Sequence, residues 1–218
     1  MLDAFQNLLN SRFSFLKDTP LLLAVSGGLD SMVLADLCIK SGLDIALAHC
    51  NFKLRNEESD EDEDFIKAFA QTNNLEVFIT HFETETVATT QKQSIQMAAR
   101  QLRYEWFETL KNQKGFEYIL TAHHADDNLE TMLINLSRGT GLDGLTGIPE
   151  LNGSIVRPLL EFDREDIHDF ATYHKLSWRE DSSNNSTKYV RNNLRHTIIP
   201  LLKEMNPSFI ESFQNTQN

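Results

Sequence analysis

Ser26-Gly27-Gly28-Leu29-Asp30-Ser31 follows the apolar run Leu21-Leu22-Leu23-Ala24-Val25 and opens a helical pattern, Met32-Val33-Leu34-Ala35-Asp36-Leu37. A strand, a glycine turn and a helix start in one stretch bind phosphate. The first amides of a helix have no intrahelical partner, the positive end of its dipole lies there, and two glycines let an anion approach with no Cβ in the way. No lysine of the Walker A kind is present. Backbone amides and the Ser26 and Ser31 hydroxyls must therefore do the holding, with Leu29 among the cradle residues, and this points to a pyrophosphate group rather than a terminal γ-phosphate. Asp30 places a carboxylate in the first helical turn, where it repels a phosphate unless Mg2+ lies between them. Asp30 is thus the expected metal ligand, and the expected ligand is a metal-bound nucleotide. An ordinary Ser/Gly turn with a Ser or Asp cap explains Asp30 and Ser31 but not both glycines.

A second segment, Thr121-Ala122-His123-His124-Ala125-Asp126-Asp127-Asn128-Leu129-Glu130-Thr131, also follows an apolar run and opens a helix. Asp127 and Glu130 are three apart and Asp126 and Glu130 four apart, so these carboxylates share a helix face. Converging acids need a cation. Mg2+ or a substrate ammonium would serve, and a carboxylate there could take the proton an amine loses before it attacks. A dinuclear metal hydrolase and simple capping by Asp126 or Asp127 are the competing readings.

Weaker signals surround these two. His49-Cys50-Asn51-Phe52 ends a strand beside the phosphate loop, which suits either contact with adenine or ribose or a satisfied imidazole and a buried thiol. Arg100, Arg103 and Tyr104 project from one side of a helix whose other side has Ile95, Ala99, Leu102, Trp106 and Leu110. That pair of arginines fits phosphate or carboxylate recognition, or a solvated face. We place His123 and Arg100 with the nucleotide. Arg138 to Gly147 carries four glycines and reads either as a loop closing over substrate, with Arg138 on it, or as a run of connecting turns. Lys188, Arg191 and Arg195 share a helical stripe, a local basic surface or a charged face flanked by Ile198 and Ile199.

The elements that must position these residues follow from periodicity. Strand-length apolar runs at Leu21 to Val25, Ile45 to His49, Leu75 to Thr80 and Tyr118 to Ala122 alternate with helical patterns near Asp3 to Arg12, Asp30 to Lys40, Ser59 to Thr72, Ser94 to Lys111 and Asp126 to Leu136. Such alternation predicts an α/β fold, a Rossmann-like parallel sheet with helices on both faces. A less regular region with Ile155 to Leu160 follows, then helices near Asp163 to His174 and Thr187 to Glu204, the last a C-terminal helical appendage. In such a sheet ligands lie beyond the carboxyl ends of the strands, where both strong motifs fall.

The chain has 218 residues, 40% hydrophobic, enough for a real core. Twenty basic against thirty-two acidic side chains leave a net charge of −12, which opposes nucleic-acid binding over the surface as a whole. Much of the acidity lies in Glu57 to Asp64, read as a solvated face with Ser59 as the helix N-cap. Cys38 and Cys50 have no C-x-x-C spacing, the N-terminus lacks a basic n-region, and no apolar run is long enough to span a bilayer. A soluble cytoplasmic protein, without a membrane partner, is expected.

The ordered set SGGLDS, HCNFKLR, ARQLRY, TAHHADDNLET, RGTGLDGLTGI, RPLL and WREDSSN resembles the tRNA(Ile)-lysidine synthetase family of the PP-loop ATP pyrophosphatase superfamily, from the phosphate loop to Arg195. The resemblance implies ATP and Mg2+ as cofactors, and tRNA(Ile) with a CAU anticodon and free L-lysine as substrates. ATP would adenylate the wobble cytidine, and the lysine ε-amine would then expel AMP to leave lysidine. It implies that Ser26, Gly27, Gly28 and Ser31 cradle pyrophosphate, that Asp30 holds Mg2+, and that Asp127 and Glu130 anchor and help deprotonate lysine. Arg103 would face the phosphate or the lysine carboxylate, and Arg191 and Arg195 the nucleotide, lysine or tRNA. Family members continue into domains that grip the acceptor stem. The expected division is therefore a catalytic domain over 1–186, with 187–218 a helix and linker leading onward; a homodimer is left open. tRNA thiolation, GMP or NAD synthesis, and a non-catalytic ATP sensor are the rival functions.

Overall fold

The computed structural model describes residues 1–55, 57–180 and 190–217. Helix α1 (Leu2–Ser11) leads into β1 (Leu21–Ala24), α2 (Leu29–Lys40), β2 (Ile45–Asn51), α3 (Glu57–Thr72) and β3 (Val77–His81). Then come α4 (Thr84–Gln91), α5 (Ile95–Lys114), β4 (Tyr118–Leu120), α6 (Ala125–Ser137), the single turn α7 (Leu142–Leu145), β5 (Leu151–Asn152), β6 (Ile155–Val156) and α8 (Arg164–Tyr173). The chain ends in α9 (Val190–Asn193), a π-helical stretch Leu194–Ile198, α10 (Ile199–Met205) and α11 (Phe209–Gln217).

Sheet order is β3-β2-β1-β4-β6-β5, with every pairing parallel except β5 with β6. Leu21 faces Ile45 on one side and Tyr118 on the other, which makes β1 central. Central parallel strands are covered on both faces, and β1 is accordingly a continuous apolar run rather than an alternating one. Leu21 and Leu23 enter a core formed with α1, α2, α3 and α8, whereas Leu22 points oppositely and packs with Ala48, Ile119 and the α5 residues Phe107 and Leu110. This is the doubly wound sheet expected from the sequence. Helix α2 is buried nearly all round through Met32, Val33, Leu34, Ala35, Leu37 and Cys38, so the phosphate loop at its N-terminus rests on a fixed element.

The chain after β1 runs to one side of the sheet and that after β4 to the other side of the strand order, so the reversal falls between β1 and β4. Crevices at such switch points hold ligands. A third core, Ala125 and Leu129 with Ile199, Ile210 and Phe213, locks α6 against α10 and α11. Gly147 sits beside it with φ +71°, and a Cβ there would lie 1.9 Å from Asn128 Oδ1, which accepts the Ile148 amide at 2.6 Å. Nothing but glycine fits.

Several boundaries differ from the sequence expectation. Helix α3 begins at Glu57 rather than Ser59, and Ser59 is not its N-cap but a buried first-turn residue whose hydroxyl accepts the Arg55 amide at 3.2 Å. Strand β3 starts at Val77 because the Leu75 amide is still bonded to Ala70 O, closing the preceding helix. Ile95 is 43% exposed, and Ala98 and Phe107 take the core face of α5 instead. Helix α4 and the strands β5 and β6 carry too little periodicity to stand out. The stretch expected as one helix over Thr187 to Glu204 is broken into α9, a π-helical turn and α10; Lys188 lies outside the described residues.

Candidate nucleotide site

Gly28 is the N-cap of α2, and Gly27, at φ +86°, makes the left-handed turn out of β1 that few other residues tolerate. The loop is pinned by its serines. Ser31 Oγ donates to Gly28 O at 2.9 Å and accepts the Ser26 amide at 3.2 Å, while Ser26 Oγ accepts the Gly28 amide at 3.3 Å. Ser31 is buried, so its hydroxyl shapes the cradle, whereas Ser26 is exposed.

Across the crevice, α6 opens with His124 as N-cap, its ring fully buried. His124 Nε2 stands 3.7 Å from Asp30 Oδ2 and 3.4 Å from Asp127 Oδ2, so two helix N-termini bring one carboxylate each to the same imidazole. Burial works against a charge on His124, but Asp127, Asp126 and Asp30 outweigh it, and its pKa is raised. Burial likewise disfavours ionised Asp127; His124, His123, Arg191 and Arg195 reverse this and hold its pKa below the carboxylate range. Asp30 Oδ1 is a buried acceptor with no donor among the described residues. A divalent ion fits that arrangement, since Mg2+ takes one or two carboxylates and completes its shell with water and phosphate oxygens. No group of three or more His, Cys, Asp or Glu side chains among the described residues would cage a metal unaided.

The acidic pair of α6 is not free. Glu130 is fully buried and accepts from Arg191 Nε at 2.8 Å, Arg195 Nε at 2.6 Å and Arg195 Nη2 at 3.1 Å. Arg191 also donates to Asp127 O and Thr131 Oγ1, and Arg195 Nη2 to Asp127 Oδ1 at 3.2 Å. The expectation that Glu130 meets a substrate ammonium is corrected: both its oxygens are taken by guanidinium groups. Arg191 and Arg195, read from the sequence as a local basic surface or a charged face, are held against these acids while remaining 39% and 22% exposed. Asp126, by contrast, ties elements together. It accepts the Arg164 amide at the start of α8 and Lys203 Nζ from α10, at 2.8 and 2.9 Å.

His123 bonds Thr121 Oγ1 at 3.0 Å, and its pKa falls to about 4, mainly through burial, with Arg157, Arg191 and Arg100 adding to the fall and Asp127 opposing it. It is a neutral imidazole beside the arginine side of the crevice. Arg100 and Arg103 are exposed on α5, stacked on Tyr104 and Phe52 at 4.9 and 5.2 Å from ring centre to guanidinium. Neither has a carboxylate partner among the described residues, which leaves both able to take an anion. His49 is buried with Nδ1 3.0 Å from Val25 O, so it braces the end of β1, while its Nε2 has no partner among the described residues. Arg138 caps the far end of α6, roughly 16 Å along the axis from Asp127 at 1.5 Å per residue, and is not brought to the crevice. His124 was absent from the expected site residues. Its place just before Asp126 and Asp127, at the start of a helix, was the available signal.

Beside the acids, a cleft of about 720 Å³ opens between α6, α8 and α10, bordered by Asp126, Glu130, Arg164, Arg195 and Lys203. Burial raises the Cys38 pKa, and Cys50 is pushed up to about 12, so neither thiol is a ready nucleophile.

A parallel sheet with a glycine loop and opposed carboxylates at its switch point defines a nucleotide-binding α/β protein. The chain belongs to the PP-loop domain family (ATP_bind_3), which matches residues 1–202. It is 46% identical to the tRNA(Ile)-lysidine synthase of Porphyromonas gingivalis over 201 residues, 92% of this chain and 44% of that protein. With the tRNA(Ile)-lysidine synthase of Bacteroides thetaiotaomicron it shares 46% identity over 204 residues, 94% of this chain and 48% of that one. The chain thus spans less than half the length of these relatives. Among solved structures it is similar to the U34-tRNA thiolase NcsA of Methanococcus maripaludis, with a TM-score of 0.76, 15% identity, and 99% of this chain and 78% of that one covered. The NMN synthetase of Francisella tularensis has a TM-score of 0.62 and 15% identity, with 100% and 92% covered. At such identities the likeness concerns the fold. Among the described residues, no helix is long and apolar enough to cross a membrane.

Proposed function

We propose that this chain is the ATP-using catalytic part of a tRNA(Ile)-lysidine synthase. It would join lysine to the wobble cytidine of tRNA(Ile) with a CAU anticodon. The observation that carries the reading is the meeting of Asp30 and Asp127, from two helix N-termini, over a glycine loop that has no lysine. Relatives named for this activity, at 46% identity over most of the chain, support it.

In this reading Ser26 Oγ and the amides of Gly27, Gly28 and Leu29 hold the β- and γ-phosphates, which leave together as pyrophosphate when the base oxygen attacks the α-phosphorus. Mg2+, held by Asp30, would offset the phosphate charge. Arg100 and Arg103 flank the α-phosphate, and His123 contacts the nucleotide as a neutral ring. Asp127 accepts the proton that the lysine ε-amine loses as it attacks the activated base carbon and AMP departs. Glu130 serves by fixing Arg191 and Arg195 rather than by meeting lysine. Residues 1–186 form the catalytic domain, and 187–218 lead toward the part that grips tRNA. A thiolation chemistry relying on the chain's own cysteines is disfavoured by the buried, protonated thiols.

The test is incubation of the protein with ATP, L-lysine and a tRNA(Ile) transcript, with pyrophosphate release and the nucleoside mass both measured. Pyrophosphate released only when tRNA is present, together with a mass gain of one lysyl residue on cytidine, is expected. ATP binding without turnover would instead identify a sensor and reject the reading.

A further inference from the structure

Two sequence features are left without a role by the nucleotide site itself, the acidic run Glu57 to Asp64 and the segment Trp178-Arg179-Glu180. The structure puts them together. The Arg179 amide donates to Gly27 O at 2.9 Å, so residues 178–180 lie along the outside of the glycine turn. The Arg179 side chain then reaches α3, with Nε 3.0 Å from Asp62 Oδ1 and Nη2 bonded to Glu61 Oε2. Asp62 is buried, and its second oxygen accepts from Arg55 Nη2 at 2.6 Å. The run is therefore not the solvated face that the sequence suggests. Glu63 is buried as well, taking Asn51 Nδ2 at 3.0 Å and His81 Nε2 at 2.7 Å.

The consequence for the cradle comes from peptide geometry. In a trans peptide the carbonyl and the following N–H point in opposite directions, and the described residues contain no cis bond. Anchoring Gly27 O on Arg179 N therefore turns the Gly28 N–H away from that segment, toward Ser26 Oγ. Gly27 itself rests on Phe65 and Ile66 of α3 and on the Arg179 stem; a Cβ there would meet these at 3.6, 3.7 and 3.8 Å. The turn is thus held from below by apolar contact and from outside by one hydrogen bond. That bond is only as fixed as the segment that makes it, and the charged grip on α3 fixes the segment.

We infer that Arg179, clasped by Asp62 and Glu61, is a positioning residue for the phosphate cradle: it sets the orientation of the Gly27–Gly28 peptide and so the affinity for the pyrophosphate moiety of the nucleotide. This rests on the reading of the glycine loop as a phosphate site. Lysine at 179 keeps the charge but lacks the fork that serves two carboxylates at once, so it should restore only part of the effect.

Calorimetric titration of the protein with Mg-ATP and, separately, with Mg-pyrophosphate tests the inference. Arg179→Ala is expected to raise both dissociation constants in parallel, by at least about tenfold, because a preorganised donor becomes mobile. Arg179→Lys should fall between. Asp62→Asn should cost about as much as Arg179→Ala, and the double variant no more than either single change, since both break one connection. Wild-type affinity in Arg179→Ala, a loss for ATP but not for pyrophosphate, or additive losses in the double variant would each overturn it. Thermal melting shows whether each variant is folded; if Asp62→Asn is not, the parallel shift in Arg179→Ala still decides. Failure of the wild-type protein to bind Mg-ATP would reject the phosphate-site reading instead.

Discussion

Replacing Glu130 by glutamine separates two pictures of the acidic pair. If Glu130 were an unpaired acid awaiting an ammonium, removing its charge would relieve repulsion from Asp126 and Asp127 and the protein would gain stability. In the structure Glu130 is instead fully buried between two guanidinium groups, and the glutamine amide would turn a donor toward one of them. Breaking a fully buried ion pair by removing one partner costs about 3–5 kcal/mol. The Arg191 and Arg195 side chains are 39% and 22% exposed and regain some hydration, which lowers the figure to about 2–3 kcal/mol. For a chain of this size each kcal/mol shifts the melting temperature by about 2–4 °C, so Glu130→Gln should lower it by about 4–12 °C. Differential scanning calorimetry at neutral pH measures this directly. An unchanged or raised melting temperature would refute the assignment of Glu130 to the arginines. In a cycle with Arg195→Gln, the double variant should lose less than the sum of the singles.

Two further outcomes are expected. His123 has a folded pKa of about 4 against an ordinary 6.5, so the unfolded chain binds the extra proton and stability is lost as pH falls from 6.5 to 4, by up to about 3 kcal/mol. Burial is the main cause, Asp127 opposes it and Arg157, Arg191 and Arg100 reinforce it; His123→Gln should lack that part of the acid limb in melts taken across this range, and a profile identical to wild type would count against it. For Asp30, a phosphate charge about 4 Å from its carboxylate meets about 4 kcal/mol of repulsion at an effective dielectric of about 20, so chelating Mg2+ should weaken ATP binding by at least about a hundredfold. Asp30→Asn should shrink that dependence on the metal, and an equal dependence in both proteins, measured by titration with and without EDTA, would remove Asp30 from the metal's shell.

What the sequence made legible was whatever is contiguous. Leu21 to Ser31 contains its own strand, turn and helix start, and Thr121 to Glu130 its own helix entry, so both halves of the crevice could be read from local chemistry. The two-layer cover of the sheet followed from apolar runs alternating with helical ones. Contacts between distant segments were not legible. Arg179 and Asp62 are 117 positions apart and Arg191 and Glu130 are 61 apart, and a run of eight residues rich in Glu and Asp looks the same whether solvated or drawn against arginines. The same holds for His49, because a histidine at a strand end gives no sign of which neighbour its ring will meet; here Nδ1 turns back onto Val25 O. The π-helical turn at Leu194–Ile198 belongs here too: it places Arg195 next to Glu130, a tertiary demand that helical propensity does not encode.

The charge balance of the chain then acquires a structural meaning. A net charge of −12 argues against polyanion binding by the surface as a whole, yet it does not describe the crevice. Arg55 and Arg179 serve the acids of α3, Arg191 and Arg195 those of α6, and Arg164 stands 3.9 Å from Asp30. Each of these arginines sits beside a residue that shapes or faces the nucleotide, and each neutralises a carboxylate that would otherwise repel phosphate. Arg100 and Arg103, which have no such partner among the described residues, stand on the helix that covers the opposite face of the sheet. Of the carboxylates at the crevice, Asp30 keeps one oxygen with no donor among the described residues, able to meet a cation, while Arg100 and Arg103 are able to meet an anion. That pattern suits the metal-bound triphosphate of the proposed function, and it arises in a protein whose net charge of −12 would by itself oppose an anionic ligand.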